Sequence, residues 1–155
     1  MSETTLRKPS RGWQTFFWRA PIFFYRVGLG WMLGKRLLLL NHVGRKSGLS
    51  RQAVLEVVHH TPQAYFIASG FGEKSDWFQN IMHTQQVNIQ VGRKKMSANA
   101  ERLPFPQAKE ILSDYAKAHP FALRELSRLI GTSYDGSEAD LEKLATLLPI
   151  VKLNL

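Results

Sequence analysis

Short apolar runs, separated by turn residues, fill the middle of the chain and predict β-strands. Five such runs stand out, at residues 36–43, 52–60, 64–69, 87–91 and 95–102. Gly or Pro occupies several of the gaps between them, as is typical of connections between strands. Strands joined by such short connections pair antiparallel, so the pattern predicts an antiparallel sheet.

Helical periodicity appears once between these strands and again in the last third of the chain. The inner segment, residues 75–82, has Ser75 as its N-cap and an acid in its first turn, which complements the helix dipole. Three further helices are predicted to begin near Pro106, Pro120 and Ser137. The last of these starts with an acidic variant of the capping box.

The first third of the chain differs from the rest. Residues 1–12 are polar and basic and predict a mobile arm, whereas the spacing of apolar residues in 13–33 predicts two amphipathic helical pieces. No linker, repeat or low-complexity tract divides the chain after this arm, so residues 13–155 are predicted to form a single domain. At 155 residues the chain has the length of one compact domain.

Charge is concentrated in the same first third. The net charge is +9, yet residues 1–51 hold ten basic residues and one acidic residue, and the remainder is balanced. An excess of this kind indicates an anionic partner, which could be a polyanionic cofactor, a lipid surface or nucleic acid. Nucleic acid is the weakest of the three because no reading motif accompanies the basic residues, and we expect none to bind.

Aromatic residues are equally concentrated, with eight of 17 between positions 13 and 31. They can pack on the protein's own core or contact a membrane surface or an apolar substrate. The uncharged runs are too short to span a bilayer, and no cleavable signal pattern is present. We therefore expect a cytoplasmic protein, with peripheral membrane contact through residues 13–33 left open.

A basic loop lies between the first two predicted strands. It contains Arg45, Lys46, Ser47, Gly48 and Arg51, a set of cations, hydroxyl and glycine suited to phosphate or carboxylate groups. The alternative is a solvated basic turn. The order of residues is not that of a phosphate-binding P-loop.

A glycine-rich turn leads from the third predicted strand into the inner helix. Its sequence from Ala68 to Ser75 places Gly70 and Gly72 where the backbone can approach a flat ligand closely. Trp77 follows in the helix, where it could line a ligand site or simply belong to the core.

Several kinds of chemistry have no support in the sequence. The absence of Cys excludes disulfides, a thiolate nucleophile and Cys-ligated metal centres. The five histidines show no metal-ligand spacing, so no metal site is predicted and structural roles are favoured for them. Neither a Gly-x-Ser-x-Gly elbow nor an acid/base carboxylate pair is recognisable, which leaves hydrolysis without support.

Taken together, these segments resemble the deazaflavin-dependent nitroreductase family from about Tyr25 to the C-terminus. Several ordered motifs carry the resemblance: Tyr-Arg-Val-Gly at 25–28, Gly-Arg-Lys-Ser-Gly at 44–48 with Arg51, Ser-Gly-Phe-Gly at 69–72, the segment 75–80, Val91-Gly92, Tyr115 and His119-Pro120. The family's members are related in fold to oxidoreductases that bind flavin mononucleotide (FMN). The resemblance therefore implies an α+β fold, a split β-barrel of mainly antiparallel strands with flanking helices.

The resemblance also implies a coenzyme, the 8-hydroxy-5-deazaflavin F420, which carries a phosphate and a polyglutamate tail. In the family the basic loop holds those anions, which assigns Arg45, Lys46, Ser47, Gly48 and Arg51 to the phosphate and tail. The ring would be bordered by Val54, Ala68, Ser69, Gly70, Phe71, Ser75 and Trp77. Some nitroreductase members have Lys where this chain has Gly70, and this departure argues against nitro compounds as substrates but not against coenzyme binding.

The implied activity is hydride transfer from the reduced coenzyme to an electron-poor acceptor such as a quinone, a nitroaromatic compound or an activated alkene. The protein would mainly orient the reactants and exclude water. No catalytic residue is assigned, since the proton could come from Tyr115, Tyr134 or solvent. Two alternatives are an FMN-dependent oxidoreductase and a non-enzymatic cofactor-carrier or membrane-surface protein. The oligomeric state is open.

Overall fold

The structure, a computed structural model, describes residues 36–155. The predicted basic arm at 1–12 and the predicted amphipathic helices at 13–33 lie outside the described residues. Six strands are present in the described part of the chain. They are β1 (Leu37–Val43), β2 (Ser50–Thr61), β3 (Ala64–Ala68), β4 (Gln86–Val91), β5 (Lys94–Arg102) and β6 (Ile150–Asn154).

The six strands form a closed antiparallel barrel in the order β1-β2-β3-β6-β5-β4. Leu38 and Leu40 of β1 are fully buried in its core, and they pair opposite Leu55 and Ala53 of β2. Side chains alternate between the two faces of a strand, so the intervening Val54 points to the outside of the barrel. The predicted split β-barrel is confirmed.

Within residues 36–155, four α-helices accompany the barrel. They are α1 (Asp76–His83), α2 (Phe105–Ala118), α3 (Pro120–Leu129) and α4 (Glu138–Leu147), and a short 3₁₀ turn (Gly72–Lys74) precedes α1. Helix α1 inserts Phe78 and Ile81 into the barrel core. Helices α2, α3 and α4 bury a second apolar cluster around Leu112, Leu123 and Leu144.

One strand, β6, was not predicted. The sequence patterns predict no element after the helix that begins near Ser137, whereas Ile150–Asn154 pairs with both β3 and β5. This strand closes the barrel, and its partners lie 49 to 90 residues earlier in the sequence. Local periodicity over five residues carries little information about pairing at that distance.

Two predicted helix caps differ in detail from expectation. Ser75 occupies the N-cap of α1, but its side chain makes no cap hydrogen bond to the described residues. Ser137 does cap α4 and accepts from the Asp140 N–H at 3.2 Å. The reciprocal half of that capping box is replaced, because the Asp140 carboxylate accepts from the Asp135 N–H instead.

Candidate functional site

The two segments predicted to form the site lie at one end of the barrel. The basic loop joins β1 to β2 just beyond the Val43–Ser50 pair, and the glycine-rich turn leaves β3 just beyond the Ala68–Ile150 pair. The β2–β3 hairpin, with its Thr61–Ala64 pair, marks the opposite end. Strand pairing therefore brings together two segments that are about 25 residues apart in the sequence.

The basic loop has a tight conformation that depends on its glycines. A Cβ atom on Gly44 would lie 2.6 Å from the Ser47 Oγ, too close for any side chain to fit without a shift. Gly48 has a φ of 69°, in the left-handed region that glycine adopts without strain. The Gly44 N–H donates to the Leu49 carbonyl oxygen, and the Gly48 N–H donates to the Gly44 carbonyl oxygen, both at 2.8 Å.

The loop's backbone is thus largely committed to holding its own shape. The Leu49 N–H donates to the Ser47 Oγ at 3.2 Å, and the Arg45 N–H donates to the Asn80 Oδ1 at 3.0 Å. With the N–H groups of Gly44 and Gly48 also bonded, four backbone donors are already used. What the loop offers to an anion is therefore mainly its side chains.

The three cations of the loop are not equivalent. Arg45 turns toward α1, where its Nη1 donates to the Asn80 Oδ1 at 2.9 Å and its Nη2 pairs with the Asp76 carboxylate at 3.3 Å. Its side chain is 23% exposed. Lys46 and Arg51 are exposed, as are Ser47 and Gly48. The structure thus places Lys46 and Arg51 where an anion can reach them, and gives Arg45 internal partners.

A buried histidine lies beneath the loop. His42 is 6% exposed, and its Nδ1 is 3.2 Å from the Nδ2 of Asn80. The Asn80 Oδ1 already accepts from Arg45, so its Nδ2 donates to a neutral imidazole. Burial, reinforced by the nearby positive charge of Arg51, lowers the pKa of His42 to about 4.

The turn after β3 is held by two buried serines. Ser69 is fully buried, and its hydroxyl donates to the Gly72 carbonyl oxygen at 2.6 Å and lies 2.9 Å from the Ser75 Oγ. Ser75 is also buried, and this contact explains why its side chain does not cap α1. Both hydroxyl groups therefore contact other atoms of the turn and help to fix its shape.

The remaining residues assigned to the ring are half-buried. They are Val54, Ala68, Gly70, Phe71 and Trp77. A Cβ atom on Gly70 would make only an ordinary contact, 3.5 Å from a methyl group of Leu126. The Trp77 ring meets the Phe78 ring edge-on at 6.1 Å and packs against the barrel core.

A tyrosine–carboxylate pair lies on the outer side of β2. The Tyr115 hydroxyl, on α2, donates to the Glu56 Oε1 at 2.8 Å. Glu56 is two residues beyond Val54 on the same face of the strand, a spacing of about 7 Å. Burial, followed by the hydrogen bond to Glu56, raises the pKa of Tyr115 well above its usual range. The hydroxyl therefore keeps its proton at neutral pH. Tyr134 packs against the helical cluster.

Three residues of this region, His42, Asn80 and Glu56, were not among the predicted site residues. His42 was given a structural role, and Asn80 appeared only as part of the matching segment 75–80. A signal existed in the strand pattern, since His42 continues the inward face of Leu38 and Leu40. A polar residue at a buried position needs a hydrogen-bond partner, but the sequence could not identify which residue provides it.

The comparisons with known proteins decide the family. A family model described as F420H(2)-dependent quinone reductase matches residues 22–122, more than half of the chain. The chain belongs to this family. It is accordingly an oxidoreductase whose coenzyme is F420. A search of curated proteins finds no match.

Solved structures share the fold of this family member at low sequence identity. An F420-H2-dependent reductase, FDR-A, is 19% identical with a TM-score of 0.56, over 78% of this chain and 96% of the other. A protein described as a domain-swapped dimer is 18% identical with a TM-score of 0.55, over 87% and 100%. General stress protein 26 from Bacillus anthracis is 15% identical with a TM-score of 0.51, over 83% and 88%.

The side chains present fit such a coenzyme. A phosphate and a carboxylate tail call for exposed cations and a hydroxyl, which the loop offers in Lys46, Arg51 and Ser47. A flat ring calls for half-buried apolar walls, which lie at the same end of the barrel. Among residues 36–155, no three His, Asp or Glu side chains are grouped as metal ligands, and no helix is long and apolar enough to cross a membrane.

Proposed function

We propose that the protein transfers a hydride from reduced F420 to a quinone or another electron-poor acceptor, such as an activated alkene, at this end of the barrel. One observation carries the proposal: a loop with exposed cations lies beside a half-buried turn, and Arg45 of the loop is hydrogen-bonded to α1, the helix that follows the turn. This arrangement suits a ligand with one anionic end and one flat end. The family supports a small-molecule acceptor of the quinone type.

In this proposal the loop residues bind the coenzyme's anionic part. Lys46 and Arg51 would contact the phosphate and tail through charge-assisted hydrogen bonds. The Ser47 oxygen accepts from the Leu49 N–H, and its own proton is left to donate to an anion. Gly48 contributes by allowing the turn. Arg45 acts differently from the direct contact that the resemblance implied, since its guanidinium holds the loop against α1.

The ring would lie against Val54, Ala68, Gly70, Phe71 and Trp77. Bound there, the coenzyme supplies the hydride, and the protein contributes orientation and exclusion of water. Ser69 and Ser75 support the turn from beneath. The Tyr115 hydroxyl keeps its proton and shares it with Glu56, which makes solvent the better supported source of any proton that the acceptor needs.

The test is a fluorescence titration of the full-length protein with oxidised F420, beside FMN, at low and moderate salt. Saturable binding of F420 alone, weakened by salt, supports the proposal. Lys46→Ala and Arg51→Ala should each weaken binding about five- to tenfold, since each removes a charged but solvent-exposed contact. Selective binding of FMN would contradict F420 as the coenzyme, and unchanged affinity in both variants would contradict the assignment of the loop.

The acceptor is tested separately by following oxidation of reduced F420 with menadione, a nitroaromatic compound and an activated alkene. We expect menadione to be reduced and the nitroaromatic compound to be the poorest acceptor, because Gly70 replaces the Lys of nitroreductase members. Turnover of the nitroaromatic compound alone would contradict this order.

Liposome sedimentation of the full-length protein tests the separate proposal that residues 13–33 contact a membrane.

A further inference from the structure

The basic loop and α1, the helix that follows the glycine-rich turn, are joined by a short chain of polar groups. Asn80, on α1, is 5% exposed and occupies the centre of this chain. Its Oδ1 accepts from the backbone N–H of Arg45 at 3.0 Å and from the Arg45 Nη1 at 2.9 Å. Its Nδ2 donates to the Nδ1 of His42, in β1, at 3.2 Å. One amide therefore contacts both the end of β1 and the loop that follows it.

The guanidinium of Arg45 completes the connection. Besides Asn80, it contacts the Asp76 carboxylate at 3.3 Å and the Asp76 carbonyl oxygen at 3.4 Å. Asp76 begins α1 directly after Ser75, the last residue of the glycine-rich turn. The first turn of α1 thus bonds the basic loop through Asp76. It also follows directly after the glycine-rich turn in the chain.

We propose that Asn80 is a positioning residue for the coenzyme: through Arg45 and His42 it fixes the basic loop relative to the glycine-rich turn. This inference rests on the proposed function. Lys46, Ser47 and Arg51 can meet the phosphate and tail only if the loop lies at the right distance from the ring. A loop ordered before binding loses less conformational freedom when the ligand arrives, so its order contributes to affinity.

An amide is well suited to this place. Two N–H donors of Arg45 need an acceptor, and the neutral His42 needs a donor, so the central side chain must offer both within a buried space. Leucine would leave the Arg45 backbone N–H and the His42 Nδ1 without a partner and the Arg45 Nη1 with only the more distant Asp76 carbonyl oxygen, and a buried unpaired polar group is costly. Aspartate would keep the acceptor but lose the donor.

The experiment titrates F420 into full-length Asn80→Ala and Arg45→Lys proteins at two salt concentrations, by fluorescence. We expect Asn80→Ala to raise Kd about tenfold, while kcat at saturating coenzyme stays within about threefold of the wild type. Because Asn80 carries no charge, its loss should raise Kd by the same factor at both salt concentrations. The loss in Lys46→Ala should shrink as salt screens its charge.

Arg45→Lys keeps the charge and the backbone N–H but loses the forked contact of the guanidinium with Asn80 and Asp76. It tests the proposal independently if Asn80→Ala does not fold. We expect its Kd to rise about fivefold, since a lysine cannot bond Asn80 and Asp76 together. Asn154→Ala is the matched control. It removes an amide that donates to Asn99 and Glu101 near the opposite end of the barrel, and its Kd should match the wild type.

Several results would overturn the inference. A merely structural role would reduce the number of binding sites at unchanged Kd, because only the folded fraction would bind. Direct anion binding by Arg45 would leave Arg45→Lys close to the wild type. Equal Kd values in the wild type, Asn80→Ala and Arg45→Lys would overturn the positioning role alone. A wild-type protein that does not bind F420 would overturn the proposed function as well.

Discussion

Acid should destabilise the protein through His42, the histidine buried beneath the basic loop. Its pKa in the folded protein is about 4, against 6.5 for an unperturbed histidine. The unfolded chain therefore binds more protons between these two values, so the contribution of His42 to stability is complete above pH 6.5 and is lost as the pH falls toward 4. A shift of this size corresponds to about 2 to 3 kcal/mol, because each pKa unit is worth about 1.4 kcal/mol and solvent screens part of the effect of the exposed Arg51.

The assay is urea unfolding of the wild type and His42→Gln at intervals from pH 7.5 to 4. Glutamine can accept from Asn80 but does not titrate in this range, so the difference between the two stabilities isolates the histidine. This difference should be constant above pH 6.5 and should shift by about 2 to 3 kcal/mol in favour of His42→Gln as the pH falls to 4. His60→Gln, at an exposed position, is the control and should run parallel to the wild type. Parallel curves for wild type and His42→Gln would refute the reasoning.

Three further substitutions test particular contacts. Gly44→Ala should lower the free energy of unfolding by about 0.5 to 1.5 kcal/mol in urea titrations and weaken F420 binding, because its Cβ would displace the exposed Ser47 hydroxyl from its hydrogen bond with the Leu49 N–H; an unchanged midpoint and Kd would contradict this. Gly70→Lys should fold normally, since its Cβ has room, and should raise nitroaromatic turnover relative to menadione turnover. Tyr115→Phe should cost about 1 to 2 kcal/mol of stability through the lost bond to Glu56; a fall in kcat beyond about threefold would instead make it the proton donor.

Local sequence patterns predicted most of the fold because most of its elements depend on local signals. The predicted β1, β4 and β5 begin within one residue of the observed strands, and Pro120 begins α3 as expected. Strand β6 was not predicted because it is stabilised by pairing with β3 and β5, which are distant in the sequence. Barrel closure itself came from the family resemblance, since periodicity alone does not distinguish a closed barrel from an open sheet.

The candidate site was predicted as a set of residues but not as a division of roles. Arg45, Lys46 and Arg51 are equivalent in the sequence, as three cations in one loop. The structure separates them through Asn80 and Asp76, which are more than 30 residues away and turn Arg45 inward by bonding its guanidinium. Hydrogen bonds between residues so distant in the sequence depend on how α1 packs on the barrel. That packing cannot be predicted from a short segment of the sequence.

The proposed division of roles suits the shape of the ligand. A coenzyme with a charged end and a flat end needs two contact surfaces at a fixed spacing, and each surface alone has little specificity for it. Exposed cations on an unsupported loop would bind many anions weakly, because exposed ion pairs contribute little. The inward orientation of Arg45 weakens the positive field of the loop. In our proposal it also fixes the position of Lys46 and Arg51 relative to the glycine-rich turn. Selectivity for F420 over free phosphate should therefore fall in Asn80→Ala, and competition by inorganic phosphate against F420 measures that loss.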